Sequence, residues 1–192
     1  MKLFGMNKAC RAGLTGLALM GFVLAAQTAR ADTLAVSADL PVAMDLTIKS
    51  SGTTTNYSDS SVSGLGVGVS LPFLIGLGYE NYAGKFSKSG SKFDYGVSMY
   101  DLFINLPIPV VNIALGGGVG TGSISKTNFG NVYKDADLTQ WFASLGIPIL
   151  PLVDVHVGYH AFSGTNKAKS GTGFSDAKAS GDMWSLGVKV GF

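Results

Sequence analysis

The sequence has little of what catalytic and metal-binding sites are commonly built from. Among its 192 residues there are one cysteine, Cys10, and two histidines, His156 and His160. No arginine follows Arg30, and the charged fraction is 14%. If the N-terminal segment is removed, no cysteine remains, which excludes a disulfide, a zinc–thiolate site and a cysteine nucleophile. No cysteine follows the small residues before Asp32 either, which argues against a lipoprotein anchor.

The first 31 residues have the pattern of a secretory signal peptide. Basic residues precede an apolar run over residues 12–26, and Ala29 and Ala31 then form the small-x-small pattern of a cleavage site. The alternative is an uncleaved anchor, but the run is shorter than the roughly 20 residues that a spanning helix requires. We expect cleavage near Ala31, which leaves one domain over residues 32–192.

Removal of this segment changes the charge of the chain. The precursor has 14 Lys+Arg and 12 Asp+Glu. Four of the basic residues and none of the acidic ones lie in residues 1–31, so the mature chain has 10 minus 12, a net charge of −2. The sequence therefore lacks the basic footprint of nucleic-acid binding, and we expect no nucleic-acid partner.

Apolar residues alternate with small or polar ones along the rest of the chain. Between Leu34 and Ile48 every even-numbered residue is apolar, and alternate side chains leave a β-strand on opposite faces. Pro41 lacks an N–H and predicts a bulge or a break. The pattern recurs, and eight strands are predicted over residues 34–48, 61–71, 75–86, 93–106, 111–125, 138–147, 152–162 and 183–192.

The fourth segment has a less regular alternation than the others. Tyr95, Val97 and Met99 are expected on the bulky outer face, with Asp94 on the small-residue face. The alternation then shifts by one residue near Tyr100, which predicts a bulge at that position.

The connections alternate in length along the chain. Three are short and contain proline, and four are longer and polar, near residues 50–61, 87–92, 126–137 and 166–182. An up-and-down meander has this arrangement, and bacterial outer-membrane barrels combine short periplasmic turns with longer extracellular loops.

The bulky face decides between a soluble and a membrane barrel. The interior of an eight-stranded barrel just accommodates side chains, so the small-residue face is expected inside and the bulky face outside. In water an exposed bulky apolar face causes aggregation. In lipid the same face is required, because a closed sheet that satisfies its own backbone hydrogen bonds must present apolar side chains to the membrane. We predict an all-β, eight-stranded antiparallel up-and-down transmembrane β-barrel, with a secreted lipocalin-like barrel as the alternative. Aromatic residues expected at the membrane interfaces are Phe73, Tyr79, Tyr95, Phe103, Trp141, Tyr159 and Trp184.

The C-terminal segment, "WSLGVKVGF", carries a resemblance to a known group. It resembles the insertion signal of the small eight-stranded outer-membrane proteins of Gram-negative bacteria, of the OmpA, OmpX and OmpW type. The matching residues are Trp184, Leu186, Val188, Val190 and Phe192. The resemblance covers residues 32–192 and implies export through the periplasm, periplasmic chaperones, the barrel-assembly machinery and the outer membrane. We expect the barrel to be a monomer.

The glycine-rich stretch "VNIALGGGVGTGSIS" at residues 111–125 matches neither phosphate-binding pattern. Gly117 and Gly122 have the first spacing of a P-loop, but Ser123 occupies the lysine position. The dinucleotide fingerprint starting at Gly118 also fails at Ser123. We predict that the even-numbered glycines of this stretch form the inner wall of a strand, and that the stretch binds no cofactor.

Polar residues on the predicted inner face form the candidate site. Histidines four residues apart on a strand lie roughly 13 Å from each other, too far to share a metal. An interior network of ion pairs and hydrogen bonds is favoured over a thin water or ion path, since charges in a narrow lumen must be paired or hydrated. Its predicted members are Asp39, Asp45, Glu80, Asp94, Asp154, His156, His160 and Lys189.

The sequence indicates no catalytic residue. Ser163 and His160 invite comparison with lipid A-modifying outer-membrane enzymes, but strand positions three apart point to opposite faces. Loop lysines predict either a solvated surface or contacts with lipopolysaccharide phosphates. The leading interpretation is a structural or surface-interaction role in the cell envelope. The alternative is a narrow channel or lateral pathway for small solutes, and an enzyme is the least favoured.

Overall fold

The chain forms a closed barrel of eight antiparallel strands. The computed structural model describes residues 34–72, 74–88, 91–108, 111–125 and 132–192, so the predicted signal peptide lies outside the described residues. Each strand pairs with the next, and β8 closes on β1, which confirms the predicted fold class. The strands are β1 (Ala35–Ser50), β2 (Thr53–Ser70), β3 (Ile75–Lys88), β4 (Ser91–Ile108), β5 (Val111–Ser125), β6 (Ala136–Leu150), β7 (Val153–Asn166) and β8 (Ala177–Gly191).

The two ends of the barrel hold the connections that the predicted meander assigned to them, but the lengths of these connections differ less than predicted. The tight-turn end holds the β2–β3, β4–β5 and β6–β7 connections together with both ends of the barrel chain. There the Phe192 N–H donates to the Leu34 carbonyl. The opposite, long-loop end holds the other four connections. No helix in the described part of the chain has the length and apolar character to cross a membrane.

Two of the four predicted polar loops are strand rather than loop. The β1–β2 connection is only Ser51 and Gly52, both at positive φ (49° and 79°), as in a two-residue hairpin turn. Of the predicted loop over residues 87–92, residues 87–88 belong to β3 and residues 91–92 to β4. These strands are 14–18 residues long, whereas roughly 9–11 residues cross a bilayer. The strands therefore continue beyond the membrane, where their polar residues were wrongly predicted to be loops.

The interior is divided into two levels. The half near the long-loop end is filled by an apolar cluster, here called the apolar plug. The half near the tight-turn end contains polar residues and a cavity, here called the polar chamber. The plug consists of Met44, Leu46, Tyr82, Phe86, Phe93, Tyr95, Val97, Met99, Ile124, Ala136, Leu138, Phe162, Ala179 and Met183.

The expected orientation of the first half of β4 is wrong. Tyr95, Val97 and Met99 are buried in the plug, at 0–1% exposure, and Asp94 lies on the outer face between buried neighbours. No register shift occurs near Tyr100, because β4 pairs without interruption with both β3 and β5. Bulky residues fit inside because glycines on β5 make room for them: a Cβ on Gly120 would meet Met99, and one on Gly122 would meet Tyr95.

The expected orientation of the second half of β1 is also wrong, although the predicted irregularity at Pro41 is confirmed. The pairing of β1 with β8 shifts between Pro41 and Ala43. This shift reverses the alternation, since one extra residue moves every following side chain to the other face. Met44 and Leu46 are therefore buried at 1% exposure, and Asp45 is exposed on the outer face.

The outer wall is apolar, as a membrane barrel requires. Large side chains on it include Leu40, Leu77, Leu102 and Ile147, each 55–59% exposed. Of the predicted interface aromatics, Trp141, Tyr159 and Trp184 form a contiguous outer cluster with ring centroids 5.1–5.4 Å apart, and Tyr79 packs on Tyr100. The prediction is wrong for Tyr95 and Phe103, which point inward, and Phe73 lies outside the described residues.

Candidate functional site

The polar chamber is a cavity of about 70 Å³ in the tight-turn half of the barrel. Inward-facing residues line it because of the strict alternation of the strands. Six of the eight predicted lumen residues lie along it: Asp39, Glu80, Asp154, His156, His160 and Lys189. Asp45 and Asp94 do not, since both point outward.

Three acid–base pairs organise the chamber. His156 Nε2 lies 2.7 Å from Asp39 Oδ1, joining β7 to β1 across the lumen. Lys189 Nζ lies 3.8 Å from Asp154 Oδ2 on the adjacent strand, and the Asn112 side-chain amide donates to the same carboxylate oxygen at 2.5 Å. The side chains of Asp39 and Lys189 keep 21% and 20% of their surface exposed. Solvent therefore reaches the chamber at this end.

The third pair lies deeper, directly below the apolar plug. His160 Nδ1 is 3.1 Å from Glu80 Oε1, within ion-pair distance but without the alignment of a hydrogen bond. The other ring nitrogen, Nε2, is 3.2 Å from Ser185 Oγ. Phe142 stacks on the imidazole with a centroid separation of 5.2 Å. The ring is thus held on both edges and on one face.

A glutamine connects this pair to a carboxylate that the sequence reasoning missed. Gln140 Nε2 donates to Glu80 Oε2 at 3.1 Å and to Asp101 Oδ1 at 2.7 Å. The Tyr82 hydroxyl, which belongs to the plug, donates to Gln140 Oε1 at 3.4 Å. Asp101 was missed because of the false bulge at Tyr100. Asp101, Phe103 and Asn105 alternate with bulky residues in the sequence. Continuing this alternation without a bulge would have placed Asp101 on the inner face.

Ser185, His160 and Glu80 have the order of a nucleophile, a base and an acid, but not the access of an active site. Ser185 is 1% exposed and is not among the residues that line the chamber. A nucleophile must come within reach of the reacting atom, and packed side chains surround this hydroxyl. The arrangement can hold the histidine in position and bridge strands β3, β7 and β8.

Ser163, the serine considered from the sequence, lies on the opposite face of β7 from His160. His160 is buried in the lumen at 4% exposure, whereas Ser163 pairs with Ser180 on the outward-facing set of β8. Among the described residues, no group of three histidine, aspartate or glutamate side chains has an arrangement suited to a metal ion.

The predicted role of the glycine-rich strand as an inner wall is confirmed geometrically. A Cβ on Gly116 would meet the rings of Phe142 and Phe103, and one on Gly118 would meet the Asp101 carboxylate. Val119 and Leu115, on the other face, are 64% and 42% exposed. The inward-facing glycines on this strand make room for lumen side chains and do not form a ligand-binding loop.

A closed eight-stranded barrel with an apolar outer wall and a polar and apolar interior is a transmembrane β-barrel of the outer-membrane type. The chain superposes on Neisserial surface protein A with a TM-score of 0.60, at 16% identity, covering 83% of this chain and 97% of that one. At this identity the likeness establishes the fold alone, and the fold supports an outer-membrane location.

Two further solved structures are more distant. They are Ail, the attachment invasion locus protein of Yersinia pestis, with a TM-score of 0.47, 14% identity and coverage of 82% and 99%, and the outer membrane protease OmpT of Escherichia coli, with a TM-score of 0.43, 10% identity and coverage of 84% and 97%. No protein-family model matches the chain, and no curated protein does.

Proposed function

We propose that the protein is a monomeric, non-enzymatic barrel of the Gram-negative outer membrane with a structural and surface-interaction role. The observation that carries this proposal is the apolar plug. Tyr95 and Met99 are 0% exposed, and Met44, Leu46 and Phe86 are 1% exposed, in the long-loop half of the lumen. Water and ions do not pass through a densely packed apolar core, so the chamber leads to a closed end.

Planar-bilayer recording tests the closed lumen. The protein, extracted in detergent from cells expressing the full chain, is expected to insert without reproducible conductance steps, while a porin in the same bilayers conducts. A reproducible conductance that changes when Tyr95 or Phe162 is replaced by alanine would contradict the structural role, because those rings stack in the plug with centroids 6.0 Å apart.

The surface-interaction part of the proposal is supported by charge at the outer rim. Lys49 and Lys178 stand directly opposite each other on β1 and β8, both exposed on the outer face near the long-loop end. Like charges at directly opposed positions are unfavourable by themselves, and an anionic group between them relieves the repulsion. Lipopolysaccharide phosphates are the anions at that level of the outer membrane, and lysine binds phosphate as a point charge.

Binding to lipopolysaccharide-containing vesicles tests this contact. Lys49→Gln together with Lys178→Gln is expected to weaken binding and reduce its salt dependence. Lys85→Gln is the matched control, because Lys85 faces Asp94 across β3 and β4. If the double variant binds as the control does, the lysine pair is not the lipopolysaccharide contact.

The partners in assembly are proposed from the C-terminal strand. Trp184, Leu186, Val188 and Val190 alternate on the outer face, and Phe192 ends the chain at 68% exposure. We propose that the barrel-assembly machinery and periplasmic chaperones recognise this pattern. Replacing Phe192 by serine is expected to lower the amount of heat-modifiable barrel in outer-membrane fractions. Leu145→Ser, on the outer face of β6, controls for lost apolar surface.

The non-enzymatic part of the proposal rests on the lack of substrate access to a serine paired with His160. Ser163 and His160 are on opposite faces of β7, and Ser185 is buried beside His160. Lipid A from cells that express the protein is expected to have an unchanged mass profile. A changed profile that Ser185→Ala or His160→Ala reverses would establish an enzyme instead.

A lateral pathway is the second candidate, and an irregularity in the pairing of β1 with β2 favours it. Among the described strand pairs none joins residues 40–44 of β1 to residues 59–65 of β2, since the pairing resumes only at Asp45 and Ser58. Pro41→Val, which restores an N–H, is expected to lower uptake of a small apolar solute if this seam conducts it. Pro148→Val, at the irregularity of β6, is the control. Equal uptake by both variants and by the unaltered protein would rule the seam out.

A further inference from the structure

The polar chamber has more acid than base at every protonation state of its histidines. Its ionisable lining residues are Asp39, Glu80, Asp101, Asp154, His156, His160 and Lys189. With the carboxylates ionised, four acids against one lysine give a charge of −3 when both histidines are neutral and −1 when both are protonated. A net charge inside a narrow lumen requires compensation, because desolvation makes an uncompensated charge costly.

The excess negative charge of the chamber is located at Asp101. Asp39, Glu80 and Asp154 each have a basic partner in His156, His160 and Lys189 respectively. Asp101 is 6% exposed, and its only described side-chain hydrogen bond comes from the neutral amide of Gln140 to Oδ1. Its Oδ2 is buried and has no hydrogen-bond partner among the described residues. A buried carboxylate oxygen without a partner is rare and calls for a ligand, water or ion.

No side chain stands opposite Asp101 on either neighbouring strand. Glycines occupy the directly opposed positions on both neighbouring strands, Gly78 on β3 and Gly118 on β5. A Cβ on Gly78 would lie 3.7 Å from Asp101 Oδ2, and one on Gly118 would meet Oδ1. A side chain at position 118 would therefore displace this carboxylate, whereas a Cβ at position 78 would only contact it. The cavity of about 70 Å³ that Asp101 helps to line has room for several water molecules.

We propose that the deep end of the polar chamber is a binding site for a small monovalent cation, Na⁺ or K⁺, held by Asp101 Oδ2 and completed by water. A divalent ion fits the donors less well, because Ca²⁺ takes 6–8 oxygen ligands and usually several carboxylates. Here both oxygens of Glu80 already face His160 and Gln140. The ion enters from the solvent-accessible tight-turn end, since the plug closes the other. This site does not depend on the proposed surface role.

Rb⁺, an alkali ion with a usable anomalous signal, serves as the crystallographic probe. Crystals of the detergent-purified protein grown in RbCl are expected to show an anomalous peak in direct contact with Asp101 Oδ2. Asp101→Asn is expected to lose the peak. Asp94→Asn, which removes a carboxylate from the outer face, is expected to keep it. Absence of the peak from the unaltered protein, or its persistence in Asp101→Asn, would overturn the proposal.

A solution measurement gives the second readout. At constant ionic strength, replacing choline by K⁺ is expected to increase the folding equilibrium constant about tenfold once K⁺ exceeds its Kd by about ten times. Asp101→Asn is expected to show no difference between the two salts, whatever its own stability. A difference that survives in Asp101→Asn contradicts the site. An infrared band of a protonated carboxyl that Asp101→Asn removes, with no K⁺ effect, assigns a proton instead of a metal ion and overturns the proposal.

Discussion

Asp45 and Asp182 stand directly opposite each other on β1 and β8, both with their side chains on the outer wall of the barrel. The Tyr159 hydroxyl donates to Asp182 Oδ1 at 2.6 Å, so the aromatic cluster of the outer wall lies immediately beside the pair. Carboxylates at opposed positions repel each other, and this repulsion exists only because the Pro41 irregularity moved Asp45 to the outer face.

Removing one of these charges is expected to stabilise the barrel. Asp45→Asn is predicted to raise the free energy of unfolding by about 0.2–1 kcal/mol, because it ends the repulsion and leaves the Tyr159 contact intact. The urea midpoint in lipid vesicles measures the change. Asp94→Asn is the control and is expected to lower the free energy of unfolding, because Asp94 faces Lys85. Equal shifts in both variants would show that loss of any outer carboxylate matters and opposition does not.

Enlarging the inner glycines of β5 is expected to prevent closure of the barrel. Gly118→Ala and Gly120→Ala place a Cβ against the backbone carbonyls of Tyr100 and Ser98 respectively. Overpacking of this kind costs about 1–3 kcal/mol. The folded fraction in heat-modifiability gels should fall for both. Gly117→Ala is the matched control on the outer face, where the nearest atom lies 3.2 Å away, and its folded fraction should change less. Full folding of Gly118→Ala would contradict the inner-wall assignment.

Truncating the plug is expected to cost more than truncating the outer wall. Phe162, 3% exposed, packs between Tyr82 and Tyr95, and Phe162→Ala should destabilise by about 3–5 kcal/mol. Urea unfolding measures this loss. Phe162→Leu, which keeps much of the volume, should lose less. If Phe162→Ala unfolds at the same midpoint as the unaltered protein, the interior at this level is not packed as described.

Substitutions of Asp154 and Lys189 are expected to have non-additive effects on the free energy of unfolding. Lys189→Met leaves the Asp154 carboxylate, 3% exposed, with weaker compensation, whereas the double variant with Asp154→Asn removes both charges. Breaking one side of a buried pair is costlier than replacing both. A double-mutant cycle should therefore give a coupling of about 0.5–3 kcal/mol. Additive single effects would show that the two charges act independently.

The fold was predictable because its signals are local. The alternation of β5 to β8 predicts which residues of each strand point outward, and the structure keeps that orientation for Trp141, Val157 and Leu186. A period of two residues needs no knowledge of neighbouring strands. Connection lengths were less reliable, since the Ser51–Gly52 turn is decided by its positive φ angles and by strand pairing beyond the membrane.

The candidate site was only partly predictable. His156, His160 and Lys189 were identified because they alternate regularly with apolar residues on β7 and β8. Asp45 was misplaced because the register shift at Pro41 was not followed through to the residues after it. Asp94 was misplaced, and a bulge before Asp101 was wrongly predicted, because the rule that bulky residues face outward fails where neighbouring strands supply glycines. Met99 fits inside only beside Gly120, and that pairing joins residues distant in sequence.

The sequence by itself determined that this chain closes into an eight-stranded barrel with an apolar outer wall, since alternation and chain direction are local properties. Only the tertiary structure decided what fills the lumen. Eight strands share the interior volume at each level of the lumen. The register between strands therefore decides which large side chain, such as Tyr95, lies beside which glycine, such as Gly122. That register separated the apolar plug from the polar chamber and placed Asp101 against the neutral amide of Gln140.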